Sequence, residues 1–387
     1  MKVIKNILKV LAVFLLGVIS FLGTAVCGYF FAGVIHTSYE SLGFLSFVLL
    51  IIGILLAFYL SIILHEGGHL IFGLLTGYGF SSFRIGSFMW IKQEGSIKFR
   101  RLTISGTGGQ CLMTPPEEKN GKNPVVLYNL GGVIMNVIWS AILALVYFLI
   151  PNVIILSEIL IIASVLSLII ALTNGIPLAP GGMPNDGMNA YYLAGNKTSA
   201  ISFLNQLRMN AELARGKRVS DMPAEWFAVP ADADMQNVHN ASIAVFAISR
   251  TMESMDFAAA EKEIKSLLDS DYKIASIHRN LLACDLVYCR LVLDGAKAEI
   301  SSILTIEQQR FMQSMKNFPS VLRTEYAIAL IRDKNTEKTE KIKQNFEKIA
   351  KTYPYPQDAE TEKNFMKYAA ECCVGDGDST SCSDAKE

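Results

Sequence analysis

Apolar residues run almost unbroken over roughly 10–34, 44–75, 124–150 and 153–177. Each stretch is long enough to cross a hydrocarbon core, which takes about 20 residues. The pattern therefore predicts four membrane helices. Lys2, Lys5 and Lys9 precede the first as they would a secretory signal, yet its run is longer than a signal's apolar core and no small-x-small cleavage site follows. It is expected to be retained. Between the second and third spans, residues 83–104 alternate in part (Ile97-Lys98-Phe99-Arg100, then Leu102-Thr103-Ile104) around a turn at Gln93-Glu94-Gly95, which predicts a β-hairpin. From about residue 197 the pattern becomes helical, with Ala/Glu/Lys/Leu/Met-rich runs broken by short polar turns. Three stretches read as helix pairs. They are 240–269 with its break at Met255-Asp256, 275–304 with its break at Asp294-Gly295, and 321–352 with its break near Asp333–Asn335. Pro354 closes the third.

Composition turns this pattern into a two-part chain. Of 387 residues, 51% are hydrophobic and only 18% charged, where soluble proteins carry about a quarter. Residues 1–195 hold 10 Lys+Arg and 7 Asp+Glu, and residues 196–387 hold 25 and 28. The expected fold is an all-α polytopic membrane domain over 1–195, with about four transmembrane helices and the hairpin. A soluble α-helical domain over 196–373 and a disordered tail over 374–387 follow. The balanced charge excludes a nucleic-acid binder, which needs a basic surface. Lys and Arg are absent from 35–43 and 150–157 but frequent at the N-terminus and over 76–123, which places both termini and the polar half on the cytoplasmic side. Seven Cys without framework spacing read as reduced thiols, in agreement with a reducing compartment. Cys372, Cys373 and Cys382 form only a loose candidate for a metal site.

Chemistry concentrates inside the second span, at His65-Glu66-Gly67-Gly68-His69. Two His at i and i+4 lie one turn apart on one helix face, so both imidazoles can reach one Zn²⁺ while Glu66 reaches its water. A plainer reading is a pair of buried His bonded to backbone carbonyls, but that leaves Glu66 without a role or a counter-charge in an apolar segment. Zinc needs a third protein ligand. Asp186, in the Pro- and Gly-rich segment Asn174–Gly187 after the fourth span, is the acid at suitable depth; Glu158 stands at that span's opposite end. Such a helix break is tolerated at membrane depth where it lines a cavity or packs in protein. Alternatively, Asn185-Asp186-Gly187 is an interfacial turn.

These residues, with Asn174-x-x-Pro177, Asp186-Gly187 and Gly131-Gly132-x-x-x-Asn136, resemble the site-2 protease family (peptidase family M50) of intramembrane zinc metalloproteases. Residues 80–113 resemble that family's membrane-associated β-hairpin. The resemblance covers roughly 44–195. Asp186 follows Pro177 by nine residues where the family usually has about five, and no segment is long enough for a PDZ domain. The resemblance implies Zn²⁺ on His65, His69 and Asp186, Glu66 as general base and acid, and Asn136 helping zinc to stabilise the oxyanion.

The function expected is an intramembrane zinc endopeptidase of the cell membrane, cleaving membrane-spanning proteins or peptides near the cytoplasmic face. Its compact layout suggests a bacterial source. The hairpin edge could pair with an unwound substrate strand, or its Arg100 and Arg101 could touch lipid head groups. The breaks in the polar half are about 38 and 40 residues apart, which resembles the tetratricopeptide period of 34 without its Trp/Gly/Tyr signature. This reads as a degenerate solenoid offering a concave face to a cytoplasmic partner, against a bundle that only packs on the membrane domain. His239 and His278 read as surface residues. A catalytically inactive membrane adaptor is the alternative function; a transporter would need internal repeats and more spans.

Overall fold

The computed structural model describes residues 43–104, 106–117, 124–150 and 154–375, with isolated positions between 14 and 32. The span expected at 10–34 therefore lies only in part within the described residues, and the tail beyond 375 lies outside them. Helix α1 runs over Phe44–Leu75, α2 over Val125–Leu149 and α3 over Ile154–Gly175. All three are long and apolar enough to cross a membrane. Their packing inverts the soluble pattern. In α1, Leu55, Leu56, Tyr59 and Leu75 are exposed, while Ser46, Ser61, His65, Glu66, Gly68, His69 and Gly73 are buried. The polar and small residues thus face the protein, as helix association in lipid requires.

One crossing shows why the glycines are there. A Cβ at Gly68 would stand 2.3 Å from the Gly131 carbonyl oxygen, and one at Gly131 would stand 2.6 Å from that of Gly68. Only two bare backbones let α1 and α2 approach this closely. At Gly67, by contrast, an added Cβ meets open space.

The region after α1 is more than a hairpin. Strands β1 (Gly79–Ile85), β2 (Phe88–Gln93) and β3 (Ser96–Arg101) form an antiparallel meander with Phe83 opposite Trp90 and Trp90 opposite Phe99. The expected turn is present: Glu94 at φ 49 and Gly95 at φ 77 give the left-handed pair that a two-residue hairpin needs. A second turn at Gly86, φ 57, was not foreseen and divides the first arm into β1 and β2. Strand β4 spans Gly109–Thr114.

By contacts, the chain divides into two compact units, Met1–Phe80 with Gly108–Ala200, and Ser81–Thr107 with Ile201–Glu387. Residues 81–107 thus group with the helical part. There Met89, Ile91 and Leu102 bury against Ala214, Tyr353 and Ala359, and the Gln93 amide donates to the Pro354 carbonyl at 2.7 Å.

Helix α4 (Asp186–Leu193) follows the broken segment after α3, and α5 (Lys197–Ala214) comes next. The helical unit continues through α6 (Val238–Glu253), α7 (Phe257–Asp269), α8 (Ser276–Asp294), α9 (Ile306–Ser314), α10 (Pro319–Ala327, with a further turn to Arg332), α11 (Thr336–Ala350) and α12 (Pro356–Gly375). The breaks at Met255, Gly295 and Lys334 fall at positive φ, 64, 61 and 49, near where the sequence places them. Two expectations are corrected. After a single 3-10 turn at Gly295–Lys297, residues 298–304 are irregular and turn structure rather than the second helix of a pair; Ile300 drops into the core (1% exposed) before Thr305 caps α9. His239 is buried against Phe203, ring centroids 5.1 Å apart, rather than on the surface.

Candidate metal centre

The second half of α1 supplies two imidazoles on one face. His65 Nε2 and His69 Nε2 are 3.4 Å apart, and each points at the Asp186 carboxylate, whose Oδ2 lies 3.0 Å from the first and 3.4 Å from the second. Asp186 arrives as the first residue of α4, past the end of α3. The long interval from Pro177 is taken up by a tight turn at Pro180–Gly182, with Gly181 at φ 58 and Gly182 at φ 80. Asn185 locks this detour. Its Oδ1 accepts from the backbone N–H groups of Leu178 (3.1 Å) and Met188 (3.0 Å), and its Nδ2 donates to the carbonyls of Thr173 (2.8 Å) and Ile176 (2.7 Å). The helix cap and the closure of the break are one side chain. The sequence pattern reads Asn185 only as part of an interfacial turn, although Asn immediately before a helix-starting Asp is an N-cap signal.

His69 Nδ1 lies 2.9 Å from the Tyr128 carbonyl, which can only accept. The imidazole proton therefore sits on Nδ1, and the Nε2 lone pair faces the cluster. Tyr128 is itself fixed, stacked on Tyr78 at 4.8 Å and donating its hydroxyl to the Cys111 carbonyl at 2.8 Å. His65 Nδ1 meets the side-chain amide of Asn136 at 3.3 Å. Glu66 is buried against β4: a Cβ on Gly109 would come within 2.6 Å of its Oε1. Asn174, part of the Asn-x-x-Pro element, donates back to Ile170 on its own helix and stays out of the cluster.

Among the described residues, His65, His69 and Asp186 form the one group of three metal-ligating side chains. Their fit to zinc can be tested on the distances. Bonds of about 2.0–2.1 Å at tetrahedral angles put ligand atoms about 3.3 Å apart, close to the three separations found. Gly132 leaves room beside them, since a Cβ there would fall 2.7 Å from the Nε2 atoms of both His. Two imidazoles and one carboxylate, with a further carboxylate on the adjacent residue, are the donor set of a hydrolytic metal site.

Comparison with known proteins agrees with that class. Residues 53–352 match the profile of peptidase family M50, and the chain belongs to this family. No curated protein and no solved structure matches it.

Proposed function

We propose that the protein is an intramembrane zinc endopeptidase that hydrolyses peptide bonds of membrane-spanning proteins or peptides near the cytoplasmic face. The observation that carries this reading is the meeting of His65 and His69, on a membrane-capable helix, with Asp186 of α4 at tetrahedral spacing, and with Glu66 next in sequence to one of the His. The paired His stand 6 to 10 residues before the end of α1, so at 1.5 Å per residue they lie roughly 9–15 Å inside it. Zinc held by His65, His69 and Asp186 would supply Lewis-acid activation at the scissile bond. Glu66 would serve as the general base and acid, taking up a proton from the attacking water and returning it to the leaving amide nitrogen. Gly109, having no side chain, leaves the Glu66 carboxylate its place.

Cleavage of a single-span substrate by the purified protein tests this. Glu66→Gln is expected to lower kcat by about 10²- to 10⁴-fold, the usual weight of a general acid–base group, while about one zinc per chain remains bound. The His65→Ala, His69→Ala double variant is expected to lose that zinc. Wild-type activity in Glu66→Gln would end the enzyme reading.

A further inference from the structure

A ladder of polar side chains joins α2 to α3. Ser140 and Ser164 each donate to the other's backbone carbonyl, at 2.9 and 2.8 Å, and one turn further along Ser167 Oγ donates to the Asn136 carbonyl at 3.0 Å. Asn136 is thereby seated in a fully buried position, 0% exposed. Its Nδ2 lies 3.3 Å from His65 Nδ1, while its Oδ1 is buried with no hydrogen-bond partner among the described residues. An orphaned buried acceptor is unfavourable.

The two imidazoles therefore differ in how their protons are fixed. Tyr128 offers His69 a carbonyl, which admits one tautomer. Asn136 offers His65 a carboxamide, whose two ends are alike in size and opposite in hydrogen-bonding sense. With Nδ2 facing Nδ1, the proton of His65 must sit on Nε2, the atom 3.0 Å from Asp186 Oδ2, and Nε2 then cannot ligate. With the amide turned by half a rotation, Oδ1 accepts from Nδ1–H, the Nε2 lone pair points at the ligand cluster and the orphaned acceptor is satisfied.

We infer that Asn136, seated by Ser167, is a positioning residue that turns its amide oxygen to His65 Nδ1 when zinc is bound and so holds His65 in the ligating tautomer. The inference rests on the zinc-protease reading above, and it places Asn136 behind a ligand instead of at the oxyanion. Such partners of a metal-bound His are worth 10- to 100-fold in metal affinity.

Zinc affinity of the full chain, measured by competition with a chromogenic chelator, provides the test. Asn136→Ala is expected to bind zinc 10- to 100-fold more weakly. Asn136→Asp, whose carboxylate can accept from Nδ1–H, is expected to stay within a few-fold of wild type although it cannot donate to an oxyanion. In parallel, ¹⁵N shifts of labelled His65 should place the proton on Nε2 without zinc and on Nδ1 with it. Unchanged zinc affinity in Asn136→Ala, with only kcat reduced, identifies an oxyanion donor and overturns the inference. So does an Asn136→Asp affinity as poor as that of Asn136→Ala, or a His65 proton on Nδ1 in both states, a result that still holds if Asn136→Ala fails to fold. Wild-type protein that binds no zinc overturns the zinc reading itself, and this inference with it.

Discussion

Glycine decides where matter can stand around the candidate metal centre. At Gly132, a single methyl group would lie 2.7 Å from the Nε2 atoms of His65 and His69, inside the space their lone pairs share. Gly132→Ala should abolish zinc binding although it removes no ligand. Gly67 lies two positions from each of His65 and His69, yet a Cβ there meets nothing within 4 Å, so Gly67→Ala should keep its zinc. Metal analysis of the two purified variants checks the pair; zinc retained by Gly132→Ala would contradict the geometry. Sequence alone could not separate these positions. Gly67, Gly68, Gly131 and Gly132 are alike as bare glycines within apolar helices, and which of them faces a backbone, the two imidazoles or open space depends on how α1 is rotated against α2. His65, Glu66 and His69 were legible because helical periodicity puts i and i+4 on one face whatever the neighbours do.

The elements follow a similar division. Spans α1, α2 and α3 were readable to within a few residues, since an apolar run of more than 20 residues admits few other structures. The broken segment after α3 was readable as a break, but not as a path. Its four extra residues between Pro177 and Asp186 gave no sign of where the carboxylate would emerge, and the answer depends on Asn185, which makes four hydrogen bonds across the detour. At about 1 kcal/mol net for each bond, Asn185→Ala should loosen the turn enough to release Asp186. Zinc affinity is then expected to fall at least tenfold with all three ligands intact. Equal affinity in Asn185→Ala and wild type would mean that the loop is held by other means. In the helical part, α9 went unread because Ala296–Leu304 looks helical locally, while Thr305-x-x-Gln308, a capping-box spacing, marks the true start. Packing of Ile300 overrides the local preference.

At the scale of the molecule, the helical unit carries its own response to acid, separate from the metal centre. Burial lowers the pKa of His239 from 6.5 to about 4 and acts on His278 in the same direction. Unfolded, these imidazoles bind protons below about pH 6.5; folded, they refuse them until about pH 4. The unfolded state therefore holds the extra protons in that interval, and the contribution of His239 to stability falls as the pH drops. A carboxyl in the same unit works the other way. Burial raises Asp358 to about 6, against a hydrogen bond from the Tyr353 hydroxyl at 3.1 Å, so its folded form binds a proton first and its contribution is lost as the pH rises through 6. The two terms oppose each other between about pH 4 and 6, which makes the difference between wild type and His239→Gln the informative quantity. That difference should be constant above about pH 6.5. It should then move in favour of the variant by up to about 1.4 kcal/mol for each pH unit down to 4. Urea unfolding of the full chain in detergent, followed by protease cleavage within the helical unit, measures it; a pH-independent difference would mean that His239 titrates normally and its buried position is not maintained.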